Sequence, residues 1–184
     1  MRKIRNPELL DRLQGLAAQT FKETVWRMVR AGRNPLTASN PKGRWDDGSF
    51  DVLYTTLQPD TARAEVFFHL MRAQPVYPSE LKIHLHELHA DLQKVLAFET
   101  VEALTAFGVD AATFGTTDYA KLQAEYSVTQ QIGEAAQFLG FDAIIVPSAR
   151  WPGQNLVVLT NANLTNQKDH GPQDLKSWAA TSLR

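Results

Sequence analysis

Residues 43–56 read GRWDDGSFDVLYTT. An Arg–Trp pair closes a polar loop, an acidic turn containing Gly48 follows, and FDVLYTT then has the make-up of a short strand. A surface hairpin does not need a cation, an indole and a phenol so close to one tight turn. A pocket for a flat, negatively charged ligand would use all three. The segment therefore ties the fold to the function: a loop that carries ligand contacts, feeding a strand that belongs to a sheet.

The flanking segments supply the rest of that sheet and its helices. Upstream, GRNPLTASNPKGRW is dense in Gly, Pro, Asn and Ser, which is loop chemistry. TVWRMVRA before it reads as the first strand, with Val25, Arg27 and Val29 on one face and Trp26, Met28 and Arg30 on the other. NPELLDRLQGLAAQTF predicts an N-terminal helix over about 6–21, capped by Asn6 with Pro7 at its first position. Downstream, QPDTARAEVFFHLMRA predicts a helix stopped by Pro75 and Pro78. LKIHLHELHADL alternates like one strand, or two joined by a bend. TVEALTAFG and SVTQQIGEAAQFLGF predict helices, the second capped by Thr129 and stopped at Gly140. DAIIVPSA and QNLVVLT read as strands, and residues 161–184 as a polar tail or a terminal strand and turn. The expected layout is α+β, with strands at both ends, helices between, and a mixed β-sheet core in a single domain over 1–184.

Composition narrows the function. The chain has 184 residues, a net charge of −1 and no cysteine. No basic field exists to draw nucleic acid or an anionic membrane. Thiol catalysis, disulfides, Cys-ligated zinc and iron–sulfur clusters are excluded. The N-terminus lacks an apolar signal core and no run reaches transmembrane length, so a cytoplasmic protein that does not enter the membrane is expected. His84 and His86 share a strand face, but a third ligand at His89 would require a bend, so no metal is expected.

Five positions carry the chemistry. Arg44 and Trp45 end the long loop, as a solvated cation and a hydrophobic plug or as ligand contacts, since a guanidinium matches phosphate through paired hydrogen bonds. Arg27 sits between Val25 and Val29 on one strand face, as a solvent-facing edge residue or as a cationic floor. Glu65 lies on a helix among small and apolar neighbours, as a solvated carboxylate or an acid aimed into a cleft beside Tyr54. Ser148 ends a buried strand without a G-x-S-x-G frame and is not read as an activated nucleophile.

Taken in order, WRMVR, GRW, VLYTT, ARAEVFFHL, IGEAAQFLGFDAIIVPSAR and NLVVL resemble the RES domain over about residues 22–160. That family is named for an arginine, a glutamate and a serine. Its members are toxins paired with Xre-type helix-turn-helix antitoxins, consume NAD, and have a fold similar to that of ADP-ribosyltransferases. The resemblance implies catalytic roles for Arg27, Tyr54 and Glu65, and substrate contacts from Arg44, Trp45, Thr55, Ser148 and Asn155. It implies NAD as substrate with no further cofactor, the antitoxin as partner, and cleavage of the nicotinamide–ribose bond with water, phosphate or a protein as acceptor. A non-catalytic nucleotide-binding or antitoxin-partner module is the alternative. The sequence departs from the family in reading KGRWD where GGRWN is usual, so that Asp46 stands in place of an asparagine.

Overall fold

The computed structural model describes residues 5–73, 80–116, 127–159 and 163–183. Its elements are α1 (Pro7–Gln14), β1 (Gln19–Arg30), β2 (Leu53–Thr56), α2 (Pro59–Ala73), β3 (Ile83–Ala97), α3 (Val101–Thr105), α4 (Val128–Phe138), β4 (Ala143–Pro147), β5 (Gln154–Val158), β6 (Asn163–Pro172) and α5 (Leu175–Ser182). The α+β class with a mixed sheet is as expected. The N-terminal helix is also present, and the C-terminal region ends in a further helix, α5, after a strand.

α1 starts as its sequence dictates. The Asn6 side chain accepts from the N–H groups of Glu8 and Leu9, and Pro7 occupies the first turn. The helix is shorter than the expected 6–21, because Gly15 follows it and Gln19 already pairs with Val95 of β3. Phe21 is the apolar residue of the early part of β1 that reaches the core. Tertiary pairing with β3 thus overrides the local preference for helix. β3 is one continuous strand, with no bend dividing it.

The pairings run in a circuit. β1 pairs antiparallel with β2, β2 with β5, β5 with β4, β4 runs parallel to β3, and β3 returns antiparallel to β1. β6 adds to the other edge of β3. One link is weak: β1 and β2 meet at a single position, Trp26 opposite Thr56. The two strands splay apart around it, and the fold leaves a gap there.

Three apolar clusters fill the remaining space. Phe21, Val25, Leu88, Leu92 and Leu156 form one between the strands. Met28, Leu85, Ala62 and Leu175 join α2 and α5 to the opposite face of β1 and β3. The largest gathers α1, α4 and Trp45 around Leu96, Ile132 and Ile144. The helix at α4 is capped by Ser127, two residues before the expected cap at Thr129, through a reciprocal box with Gln130. Gly140 has a φ of 71° and ends it as expected. The polar C-terminal region is ordered as β6 and α5. Pro75 and Pro78 lie outside the described residues.

Candidate active site

The gap between β1 and β2 opens into a cavity of about 830 Å³, roofed by α2. Trp26, Arg27 and Met28 line it from β1, and Tyr54, Thr55 and Thr56 from β2. Arg44 comes from the loop, Glu65 from α2 and Asn155 from β5. Splayed strands expose consecutive residues at their edge, which is why both faces of each strand contribute.

Glu65 is the most highly organised group in it. The Ser148 hydroxyl donates to Glu65 Oε1 at 2.7 Å, and Asn155 Nδ2 donates to the same oxygen at 3.0 Å. The carboxylate fixes the orientation of the Asn155 amide, since the opposite flip would set two acceptors against each other. Ser148 is in turn locked by the Arg150 N–H, which donates to its Oγ at 3.1 Å. Ser148 does not line the cavity; it reaches the site through Glu65. The helix, the end of β4 and the start of β5 thus converge on one carboxylate oxygen, leaving Oε2 outside both bonds.

The two expected arginines are each tethered at one end. Arg27 Nη1 donates to the carbonyl oxygens of Pro35 and Thr37, at 2.8 and 3.1 Å. Burial pushes its pKa down to about 10, still far above neutrality. Arg44 Nη1 donates to the Phe114 carbonyl, and its guanidinium lies 4.4 Å over the Phe114 ring. Both cations are therefore held in place before any ligand arrives.

Asp46 explains the departure from the family pattern. Its Oδ1 accepts from the Lys42 N–H at 2.8 Å, and its Oδ2 from the Gly43 N–H and the Tyr54 hydroxyl, at 2.9 and 2.8 Å. Three donors suit a carboxylate, which offers two acceptor oxygens. The Tyr54 hydroxyl also accepts from the Trp45 N–H at 3.1 Å. Burial, followed by the charge of Asp46, raises the Tyr54 pKa well above its ordinary value of 10.0, so the phenol is neutral at physiological pH. Gly43 and Gly133 are required by close packing. A methyl at Gly43 would meet the Tyr54 hydroxyl, and one at Gly133 would overlap the Trp45 carbonyl. Gln130 completes the clamp by donating to the carbonyls of Gly43 and Asp46 at 2.9 and 3.1 Å. α4 therefore shapes the Arg44 loop from behind.

Two expected substrate contacts line the cavity and are also packed into the protein. Trp45 is 1% exposed and packs in the core cluster with α1 and α4. Thr55 is also 1% exposed, and its hydroxyl donates to the Leu156 carbonyl at 2.8 Å. Arg27, Arg44, Trp45, Tyr54, Thr55, Glu65 and Asn155 all line one space.

Three further residues join them. His69, Arg72 and Arg150 line the cavity. Glu65, His69 and Arg72 stand at i, i+4 and i+7 on α2, a helical stripe legible in the sequence. The pKa of His69 is lowered, chiefly by desolvation, with Glu65 opposing and Arg150, Arg72 and Arg44 reinforcing the shift. The Arg150 guanidinium lies 3.4 Å over the Phe68 ring and donates to the Gly115 carbonyl. Among the described residues the mouth is thus rich in cations, with Glu65 its one lining carboxylate.

A tethered carboxylate facing guanidinium groups across a strand gap, with a serine behind it, is the arrangement expected of a RES domain. The chain belongs to that family, whose model matches residues 24–177. The match extends past the expected limit near 160 and takes in β6 and the start of α5. The chain is 30% identical over 161 residues to a probable NAD(+) phosphorylase of Mycobacterium tuberculosis, covering 84% of this chain and 73% of that protein. Its fold is similar to a chain of the crystal structure of the M. tuberculosis MbcT–MbcA toxin–antitoxin complex. The TM-score is 0.78 at 22% identity, covering 96% of this chain and 99% of the other. No helix among the described residues is long and apolar enough to cross a membrane.

Proposed function

We propose that this protein is the toxin of a bacterial toxin–antitoxin pair, and that it depletes NAD by cleaving the nicotinamide–ribose bond. The observation that carries the proposal is the Glu65 carboxylate, held through Oε1 by Ser148 and Asn155 with Oε2 outside both bonds. Membership of the RES family and the similarity to a probable NAD(+) phosphorylase support it.

Each residue then has a task. Arg27 and Arg44 bind the pyrophosphate, their tethers reducing the entropy lost when they engage it. Tyr54, neutral and fixed by Asp46, walls the nicotinamide end. Departure of nicotinamide leaves an oxocarbenium-like ribosyl cation. The preorganised negative charge of Glu65 stabilises that cation, and Oε2 accepts a ribose hydroxyl. Nicotinamide leaves from a cationic ring, so no general acid is needed. Ser148 positions Glu65 instead of attacking. Its proton already points to the carboxylate.

Inorganic phosphate is the acceptor best suited to a mouth that also holds Arg72, Arg150 and His69. Water would use the same machinery. The ADP-ribosyltransferase-like character lies in this shared management of the ribosyl cation. The partner we propose is an Xre-type helix-turn-helix antitoxin that occludes the cleft, and the site of action is the cytoplasm. Incubation with NAD, with and without phosphate, tests the reading. Nicotinamide should appear together with ADP-ribose 1″-phosphate when phosphate is present, or ADP-ribose when it is not. Intact NAD after incubation with stoichiometric folded enzyme would overturn it.

A further inference from the structure

The strand that carries the pair of same-face histidines gains a third ligand from β6. His84 Nδ1 lies 2.8 Å from Asp169 Oδ2, and ligand atoms of His84, His86 and Asp169 all fall within 4.8 Å of one another. None of the three lines the cavity between β1 and β2. The geometry points to a second site in this protein, for a divalent transition-metal ion of the zinc type, clamping β6 to β3.

The backbone builds the cluster. His84 and His86 are two residues apart on β3 and so face the same way. His86 is opposite Asp169 and His84 opposite Pro172, so β6 carries one more residue than β3 across that interval. The resulting bulge includes Gly171, at a φ of 75°. The Gly171 N–H donates to Asp169 Oδ1 at 2.8 Å, which turns Oδ2 toward the histidines. The carboxylate is thereby held in a coordinating orientation by its own turn.

The second observation concerns His86. The residue is 6% exposed, and its Nδ1 is buried with no hydrogen-bond partner among the described residues. Buried imidazole nitrogens are ordinarily satisfied. A metal ion bound at that nitrogen would satisfy it, and the His84 and His86 rings are 25° from parallel at a centroid distance of 6.3 Å. Two nitrogens and one carboxylate oxygen form a donor set suited to zinc, with water in the fourth position. Two ligands at zinc distances in a tetrahedron are about 3.3 Å apart, close to the His84–Asp169 separation. The ion would displace the proton now shared by that pair. Arg27 is the cross-strand neighbour of His86, but its Nη1 is drawn to the carbonyls of Pro35 and Thr37.

The test uses the full chain, stripped with EDTA, loaded with ZnCl2 and desalted, with metal counted by mass spectrometry. One zinc per chain should be retained. Asp169→Asn and His84→Gln, both at partly exposed positions, should weaken retention at least tenfold while the circular dichroism is unchanged. His89→Gln and His170→Gln should retain it. Cobalt in place of zinc should give visible absorption that Asp169→Asn removes, and zinc should raise the melting temperature of the parent, His89→Gln and His170→Gln proteins but not that of Asp169→Asn or His84→Gln. Absence of retained zinc, or retention indifferent to both Asp169→Asn and His84→Gln, would show that His84 and Asp169 form only an ion pair. Loss of NAD cleavage plays no part in the readout, so the outcome is independent of the proposed activity.

Discussion

The hydroxyl of Ser148 donates to Oε1 of Glu65 at 2.7 Å, although the two residues are 83 positions apart in the chain. The bond joins the end of β4 to α2, and it gives the serine a purpose that needs no nucleophilic chemistry. Ser148→Ala should lower kcat about 10- to 100-fold, the equivalent of a hydrogen bond to a charged group worth about 1.5–3 kcal/mol. KM should move little, because the loss falls on the orientation of a group that acts in the transition state. A serine that attacked the substrate would instead leave the alanine variant without turnover, and one that merely packed would leave kcat unchanged.

Glu65→Gln should abolish most NAD cleavage while sparing folding and NAD binding. The amide keeps the shape and removes the charge beside the developing cation. A fall of about 10²–10³ in nicotinamide release is expected for loss of one well-aimed electrostatic contact. A rate within about threefold of the parent, less than about 1 kcal/mol of barrier, would falsify the catalytic role of Glu65.

Arg44→Lys should weaken NAD binding by about 1–3 kcal/mol, measured by calorimetry on the folded variant. Lysine keeps the charge but loses the planar fork and the stacking over Phe114. Unchanged affinity would place Arg44 outside the binding surface.

Gly133→Ala should destabilise the fold by about 1–3 kcal/mol or more, since the new methyl would overlap the Trp45 carbonyl on a packed backbone. Chemical denaturation measures this, and a variant within 0.5 kcal/mol of the parent (the ordinary range of about ±0.5 for neutral surface changes) would mean that the Arg44 loop can retreat from α4.

The phenol of Tyr54 gives a pH prediction with a definite sign. Its folded pKa is raised above the ordinary 10.0. The unfolded chain therefore releases this proton first as pH rises. Stability associated with the neutral phenol is complete below about pH 10 and declines above it. Tyr54→Phe should make alkaline unfolding less steep. An equally steep alkaline limb in the variant would show that Tyr54 does not contribute to it.

Much of this site was legible because a few residue types are informative wherever they sit. An arginine between two valines, an Arg–Trp pair ending a loop, and a glutamate among small residues all marked positions that the fold brings together. Trp45 was open to two readings, ligand contact or hydrophobic plug, because an indole beside an arginine looks the same in sequence either way. It is buried beside α4 and also lines the cavity. β6 was legible only as one of two alternatives, a polar tail or a terminal strand, because nearly every residue of it is exposed and it shows no alternation to read. Its strand character comes from pairing with β3. Asp169 could not be matched with His84 before that pairing was known. His69 and Arg72 were within reach, since they repeat from Glu65 at helical spacing on α2.

The outer rim of β6 has a consequence for how the protein behaves at high concentration. β6 ends the strand order, and no described strand covers its far side. Ten residues of uncovered backbone would ordinarily template a second copy and seed fibrils. This rim instead carries Lys168, Asp169 and His170 in succession and is kinked by its register shifts and by Gly171. Charge and kink together make it a poor template, so they offset the liability of an open edge while the inner edge stays paired with β3.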